Sequence, residues 1–177
     1  MNKGNWNQEN IYASGANDEC VSPDYLVEPL LKYIPANKTI WCPFDKEDSA
    51  FVRLFQKNGN KVIFSHIEKG ENFYSYEPKE YYDYIISNPP FTNKKLIFER
   101  ALSLNKPFLL VAPCTWFNDS ALSKLFGDGS SMQVMFFDKR AKFVNNGIVQ
   151  NKITFSSCFI GKGILPRQIV FEKLITK

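Results

Sequence analysis

The chain has 177 residues, of which 44% are hydrophobic and 15% aromatic, and its formal net charge of +4 at pH 7 is mild. This length and composition predict one globular domain with a continuous core and exclude a largely disordered chain, while the charge is compatible with a polyanion partner. The longest apolar runs, such as 107–113, are too short to span a bilayer, and the polar start at 1–5 lacks a signal-peptide region, so we expect a soluble cytoplasmic protein.

The first part of the chain alternates predicted helices and strands. Apolar residues at helical intervals predict a helix over 24–34, which Pro29 should kink or shorten. Further along, apolar runs predict strands and amphipathic stretches predict helices. In chain order these are a strand at 39–42, a helix at 49–59, strands at 61–65 and 83–87, a helix at 94–104 and a strand at 107–112. This alternation predicts a parallel α/β sheet.

The last third of the chain is predicted to be rich in strands. Apolar runs at 133–137, 152–160 and 167–171 are typical of strands, and no helix is indicated between them. Clusters of Asn and Gly predict turns at 145–147 and 161–163. We therefore expect antiparallel strands that close one side of the sheet.

No repeat or linker marks a second domain, so the sequence predicts a single domain over 1–177 in which 1–18 are flexible. The cysteines do not form a metal-binding pattern. Cys20, Cys42, Cys114 and Cys158 are widely scattered, and the single His66 cannot complete a usual zinc set. Neither a metal site nor a disulfide framework is predicted.

The most informative motif is Asn88-Pro89-Pro90-Phe91, which follows the strand-like run at 83–87. Each proline lacks an N–H and cannot continue strand pairing, so backbone carbonyls are left as acceptors. The side-chain carbonyl of Asn88 also accepts hydrogen bonds, so two acceptors can converge on the hydrogens of an exocyclic amino group. Phe91 can stack on the base that carries this group. The motif therefore suits methylation of an amino nitrogen; the alternative is a tight turn with Phe91 in the core.

The order of these motifs resembles the N6-adenine DNA methyltransferases of bacteria and phages. The resemblance covers most of 20–173 and is carried by a helix that opens with Ser22-Pro23, a Cys-Pro-Phe-Asp turn at 42–45, the segment 83–91 and a C-terminal antiparallel unit. It implies a Rossmann-like methyltransferase sheet of about seven strands, mostly parallel, with S-adenosylmethionine as the cofactor. It also implies that the target adenine is extruded into a pocket at the Asn-Pro-Pro-Phe turn.

Roles for single residues follow from the resemblance. Asn88 and Pro89 would accept hydrogen bonds from the amino group, Pro90 would complete the rigid turn, and Phe91 would stack on the base. The residues with implied cofactor contacts are Ser22 and Pro23 at the methionine part, Pro43, Phe44 and Asp45 in the cofactor loop, His66 at the ribose, and Asn72 and Phe73 at the adenine. In open α/β sheets, ligands lie outside the carboxyl ends of the parallel strands. By the predicted strand bounds, 43–45 and 88–91 both fall there and would face one crevice.

Three of these cofactor positions also have a structural alternative. Ser22 can be a helix N-cap, 45–48 can be a solvated acidic cluster at a helix start, and His66 can be incidental. The chain departs from the family in its cofactor loop, because no glycine lies between Gly15 and Gly59. Glycine normally allows the backbone to approach a ligand closely.

The segment Arg140-Ala141-Lys142-Phe143 resembles a family segment that contributes to the base pocket. Its functional interpretation is phosphate contact by Arg140 or Lys142 and base stacking by Phe143. Its structural interpretation is a basic surface loop anchored by one aromatic ring. The sequence leaves both open.

The sequence therefore predicts S-adenosylmethionine-dependent methyl transfer to the N6 amino group of adenine in nucleic acid, with DNA favoured over RNA. No enzyme nucleophile or metal is needed, because the cofactor supplies the electrophile. No separate target-recognition domain is indicated, so a specificity subunit is one possible partner. Two alternatives stay open: a binding module for nucleic acid or protein that does not catalyse, and an enzyme acting on RNA adenine or protein glutamine.

Overall fold

The computed structural model describes residues 21–145, 148–149 and 156–176. Several sequence predictions lie outside these residues, namely the flexible start at 1–18, Cys20, the tip of the turn at 146–147 and the first part of the strand at 152–160. Within the described residues, no helix combines the length and apolar character that a membrane crossing requires.

The first helical segment changes type along its length, as Pro29 predicts. An α-helix, α1, spans Asp24–Val27 and leads directly into a 3₁₀ helix at Glu28–Tyr33. Pro29 lies near the start of the 3₁₀ helix and cannot donate a hydrogen bond back to the preceding turn. The α-helix is therefore short, and the chain continues in the tighter form.

The remaining helices and strands follow in chain order. The strands are β1 Thr39–Cys42, β2 Lys61–Phe64, β3 Tyr84–Ser87, β4 Phe108–Pro113, β5 Gln133–Phe137, β6 Val144–Asn145, β7 Ile148–Val149, β8 Ser157–Lys162 and β9 Ile169–Glu172. The α-helices are α2 Ala50–Lys57, α3 Lys94–Ser103 and α4 Ala121–Phe126, with further 3₁₀ helices at Ile67–Lys69 and Cys114–Asn118. Helix α4 was not predicted from the sequence.

Seven strands form one sheet in the order β2-β1-β3-β4-β8-β5-β9. Strands β1 to β4 pair in parallel with one another, whereas β8 is antiparallel to both β4 and β5. The short strands β6 and β7 form a separate antiparallel pair. The predicted α/β fold, a Rossmann-like sheet of about seven strands with most of them parallel, is confirmed.

The C-terminal part differs from its prediction in two respects. Strands β5 and β9 are parallel to each other, so β8 is the antiparallel member among the described strands of this sheet. Strand β8 is buried over nearly its whole length and is inserted between β4 and β5, which satisfy its backbone groups on both sides. The predicted turn at 161–163 is also wrong at its start. The strand continues through Lys162, and the chain turns at Gly163, which has a positive φ of 77°.

The core lies on both faces of the sheet because side chains alternate along each strand. One face packs on α1 and α2 and includes Phe51, Phe55 and Phe159. The other packs on α3 and α4 and includes Trp41, Phe98 and other large rings. Each fully buried side chain of this kind contributes about 1.5–3 kcal/mol to folding. The two layers hold the ends of the strands in fixed positions.

Candidate functional site

The predicted site residues gather at one edge of the sheet. Strands β1 to β4 run in the same direction, so the segments that follow them meet at the edge where these strands end. We call this the carboxyl edge. Strand β5 runs the same way, because both β4 and β5 are antiparallel to β8, and the loop after it therefore lies at the carboxyl edge too.

A hydrogen bond joins the predicted cofactor loop to the Asn-Pro-Pro-Phe turn. Ser87, the last residue of β3, donates from its Oγ to Oδ2 of Asp45, and both residues are buried. The same hydroxyl oxygen accepts a hydrogen bond from the backbone N–H of Phe44 over 3.3 Å. Since Ser87 directly precedes Asn88, these bonds fix the segment after β1 against the start of the motif.

The carboxyl group of Asp45 lies in an environment that disfavours its ionised form. It is 7% exposed, so burial raises its pKa from 3.8 to about 6, and hydrogen bonds with Ser87 and Ser49 only partly offset that rise. The alternative of a solvated acidic cluster therefore does not describe Asp45, although Glu47 and Asp48 are exposed. Ser49 caps α2 by accepting a hydrogen bond from the N–H of Val52 over 3.2 Å.

The Asn-Pro-Pro-Phe turn begins where the parallel pairing of β3 stops. The last paired residue of β3 is Ser87, as expected if the prolines end the ladder. Asn88 is half-buried and its Oδ1 atom is buried, whereas Pro89 is buried and Pro90 is exposed. Phe91 is half-buried and packs against the core on the α1 and α2 face. The side chains of Asn88 and Phe91 are thus both partly buried and partly accessible to solvent.

Ser22 carries a buried hydroxyl that the described residues leave unused. It is 8% exposed, and its Oγ has no hydrogen-bond partner among those residues. The N-cap of α1 is Pro23, and no side chain caps this helix. The alternative of Ser22 as an N-cap is therefore not realised, and a buried unpaired hydroxyl requires another explanation.

Arg53 of α2 links the start of α1 to the loop between β1 and α2. Its Nη2 lies 2.6 Å from Oδ1 of Asp24, and its Nε donates to the carbonyl oxygen of Asp48 over 3.0 Å. One side chain therefore contacts both the first residue of α1 and the loop before α2. The sequence did not single out Arg53.

Tyr25 of α1 contacts the loop at 140–143. Its hydroxyl oxygen accepts from the N–H of Lys142 over 2.8 Å and lies 3.4 Å from the Lys142 carbonyl oxygen. Within this loop, Arg140 and Lys142 are exposed, while Phe143 is 1% exposed and lies in the core. In this structure Phe143 anchors the loop, and its stacking role stays a prediction.

The segment after β2 is held by local contacts. His66 accepts a hydrogen bond at Nδ1 from the N–H of Glu68 over 3.3 Å, and Asn72 accepts one at Oδ1 from the N–H of Tyr74 over 3.1 Å. Phe73 is 3% exposed, and its ring centroid lies 4.8 Å from that of Phe44. Phe44 and Phe73 therefore join two predicted cofactor segments, while the cofactor contacts of His66, Asn72 and Phe73 stay predictions.

Sequence reasoning missed the residues that connect these segments. Ser87, Arg53 and Tyr25 make the joining contacts, but in the sequence they are a strand residue and two helix residues. A buried polar residue at the last position of a predicted strand was the available signal for Ser87. Arg53 and Tyr25 gave none, because their partners are 29 and 117 residues away.

Comparisons with known proteins give two solved structures of interest. No protein-family model and no curated protein matches the chain. A type I restriction-modification methyltransferase subunit from Streptococcus thermophilus is 10% identical, with a TM-score of 0.49 over 88% of this chain and 47% of that one. A release-factor-specific protein-(glutamine-N5) methyltransferase from Alicyclobacillus acidocaldarius is 15% identical, with a TM-score of 0.40 over 80% and 98% of the two chains.

The chain thus spans about half the length of the Streptococcus subunit. With TM-scores below 0.5, neither likeness identifies a reaction or a substrate for this chain. Within the described residues, no group of three or more His, Cys, Asp or Glu side chains could hold a metal ion.

Proposed function

We propose that this chain is an S-adenosylmethionine-dependent methyltransferase that acts on the N6 amino group of adenine in nucleic acid, with DNA as the favoured substrate. The observation that carries the proposal is the hydrogen bond between Ser87 and Asp45, which joins the cofactor loop to the Asn-Pro-Pro-Phe turn. A methyl donor and an amino acceptor have to meet within a few ångströms, and this bond fixes the two segments beside each other.

Two side chains fit the charged end of S-adenosylmethionine. The Asp45 carboxyl is buried and has a raised pKa, so a nearby cationic group would favour its ionised form. The buried hydroxyl of Ser22 can donate to a carboxylate. These two residues would hold the amino-acid part of the cofactor. When bound, the cofactor supplies the electrophilic methyl group on its sulfonium centre.

The Asn-Pro-Pro-Phe turn would prepare the acceptor nitrogen. The Asn88 side-chain oxygen and the Pro89 carbonyl oxygen would accept hydrogen bonds from the amino group, which favours a more tetrahedral nitrogen whose lone pair can point at the methyl group. Phe91 would stack on the ring of the base. These groups act by positioning and electrostatics and form no covalent bond with the substrate.

The experiment measures the transfer of an isotopically labelled methyl group by the parent and by Asn88→Ala. DNA, RNA and protein are offered as substrates in separate reactions. We expect incorporation into adenine of DNA and a fall in turnover of about 10²–10³-fold in the variant, as for the loss of one hydrogen-bonding group that stabilises a transition state. Asn37→Ala is the matched control, because Asn37 is exposed in the turn before β1, at the opposite edge of the sheet.

Calorimetric titration with S-adenosylmethionine completes the test. The parent and Asn88→Ala should bind the cofactor alike, since Asn88 is proposed to contact the acceptor. Equal turnover in the variant and the parent would refute the role of Asn88. If the parent does not bind the cofactor even with DNA present, the result would favour the alternative of a binding module without catalysis. If the methyl group is transferred to glutamine or to RNA, the proposed substrate would be wrong and the enzyme would act on that molecule instead.

A further inference from the structure

A basic pocket lies next to the Asn-Pro-Pro-Phe turn. Its volume is about 230 Å³, and the residues that line it include Asn93, Lys94 and Lys95 at the start of α3 and Lys124 in α4. Asn93 follows Phe91 by two positions, and α3 begins directly after it. Trp116, in the 3₁₀ helix after β4, forms another part of the wall. The pocket therefore belongs to the carboxyl edge.

The walls of this pocket are firmly held. Trp116 is 2% exposed, and its ring centroid lies 4.8 Å from that of Phe98 in the core. The Nζ of Lys94 lies over the Trp116 ring, 5.5 Å from its centroid. This cation–π contact limits the positions of the Lys94 ammonium group. One of the three cations is thus oriented by a rigid aromatic wall.

The charges around the pocket favour an anion. Three lysines and one carboxylate, that of Asp119, are among the residues that line the pocket. The Oδ1 of Asp119 accepts a hydrogen bond from the N–H of Ala121 over 2.8 Å. Lys95 has a partial partner outside the pocket, because its Nζ lies 3.6 Å from Oε1 of Glu99. Like charges that line one pocket repel each other, and an anion bound between them reduces that repulsion.

We propose that this pocket binds a backbone phosphate of the substrate strand next to the target nucleotide. The inference rests on the proposed function, since an adenine held at Asn88 would bring its neighbouring phosphates to the carboxyl edge. A phosphate diester carries one negative charge and fits a pocket of this size. Lys94 and Lys124 bind the phosphate and position the strand, and neither takes part in the chemical step.

The first test measures the salt dependence of oligonucleotide binding by fluorescence anisotropy, without cofactor. For Lys94→Gln/Lys124→Gln we expect weaker binding and a plot of log K against log salt concentration that is shallower by about 0.7–0.9 for each phosphate that the variant no longer neutralises. The matched control is Lys57→Gln/Lys79→Gln, which removes two exposed lysines at the opposite edge of the sheet and should keep the parent slope.

The second test removes the charge from the phosphate instead. Each phosphate near the target adenine is replaced in turn by an uncharged methylphosphonate. One position should weaken binding to the parent by about tenfold and should have no further effect on Lys94→Gln/Lys124→Gln. If the effects of the lysine substitutions and of the methylphosphonate are additive at every position, the lysines do not contact any of these phosphates.

The outcomes separate this inference from the proposed function. If the parent binds the oligonucleotide and the lysine variant has the same salt-dependence slope as the parent, the phosphate pocket is refuted and the proposed reaction is not. A slope that depends on the pocket, without methyl transfer by the parent, overturns the proposed reaction and leaves the pocket in place. No binding of nucleic acid by the parent overturns both, and binding of an acidic peptide in its place would reassign the pocket to a protein partner.

Discussion

Asp45 illustrates, at the scale of one residue, how a site can cost stability. Its pKa lies at about 6 in the folded chain, against an ordinary value of 3.8. Above pH 6 the carboxylate is ionised in both the folded and the unfolded chain, and its burial costs about 3 kcal/mol, at 1.36 kcal/mol per pKa unit. A carboxyl group that is expensive to bury is typical of a residue retained for binding.

We predict that Asp45→Asn stabilises the protein at pH 8 by up to about 3 kcal/mol. The neutral amide keeps an oxygen that can accept from Ser87 and removes the buried charge. Because the folded pKa is the higher one, the advantage is complete above pH 6 and disappears below about pH 4, where both states of the parent are protonated. Urea unfolding at pH 8, 6 and 4 measures the difference between the two proteins.

Calorimetry on the same variant should show weaker S-adenosylmethionine binding, because the cation would lose its carboxylate. An Asp45→Asn protein that is less stable than the parent at pH 8 would show that the charge is compensated within the fold. If the variant gains stability but binds the cofactor normally, burial of the Asp45 carboxylate does cost stability, but Asp45 does not bind the cofactor.

Cys114 is the second residue whose titration the structure changes. Its thiol has a pKa lowered from 9.0 to about 7, mainly through its interaction with the neighbouring Cys158 side chain. Cys158 is buried on β8, and its own pKa is raised, with Cys114 as the main cause. Cys42 is buried too, and burial raises its pKa. The three described cysteines should therefore differ in reactivity.

We predict that iodoacetamide alkylates Cys114 before Cys42 and Cys158. The thiolate is the reactive form, so the rate at Cys114 should rise through pH 7 as the thiol ionises. Peptide mass spectrometry at a series of pH values gives the rate at each site. In Cys158→Ala that interaction is lost, and the midpoint of the pH dependence of alkylation at Cys114 should move toward 9. A midpoint that does not move would mean that another group stabilises the Cys114 thiolate.

At the scale of the elements, local patterns predict the first part of the chain well. Strand β1 has its predicted bounds, and α2 begins one residue after its predicted start because Ser49 serves as the cap. In both, periodicity and capping chemistry agree with the tertiary structure. Helix α4 has six residues, which is too short for a periodic signal against its surroundings.

The C-terminal strands required information that local patterns do not contain. Apolar runs predict that β5, β8 and β9 are strands, but they do not give the order or the direction of these strands. Strand β9 pairs with β5 and not with β8, its neighbour in the chain. The order of these strands depends on which strand is buried between two others, and that is a property of the folded sheet and not of any local run of residues.

The candidate site was predicted in part for the same reason. The carboxyl-edge rule for parallel strands brings 43–45 and 88–91 together once the strands are known. The contacts that fix them, from Ser87, Arg53 and Tyr25, link residues 29 to 117 positions apart in the chain. The burial of Phe73 and Phe143 likewise follows from tertiary packing, because a sequence does not distinguish a ring that stacks on a base from one that packs in the core.

At the scale of the whole molecule, the pairing of β4 with β8 joins two halves of the sheet. The predicted cofactor loop and the Asn-Pro-Pro-Phe turn follow strands among β1 to β4, and the basic loop at 140–143 follows β5. Strand β8 lies between these groups and pairs with β4 from Phe108 to Pro113. The positions of the two groups of site residues relative to each other therefore depend on this seam.

Gly161 lets the two strands of the seam approach each other. A Cβ atom at this position would lie 1.7 Å from the carbonyl oxygen of Phe108 and 2.6 Å from its carbonyl carbon. Both are backbone atoms, so no side chain can rotate away, and β4 or β8 would have to shift. A side chain at position 161 would therefore strain the ladder itself.

We predict that Gly161→Ala lowers the free energy of unfolding by about 3 kcal/mol or more, at the upper end of the usual cost of overpacking. Urea unfolding followed by circular dichroism measures the change, and Gln56→Ala, at an exposed position of α2, serves as a control with little expected effect. Because the seam sets the distance between the halves, oligonucleotide binding by the folded variant should weaken as well. A Gly161→Ala protein with parental stability would mean that β4 and β8 can move apart without cost, and the seam would then not fix the site.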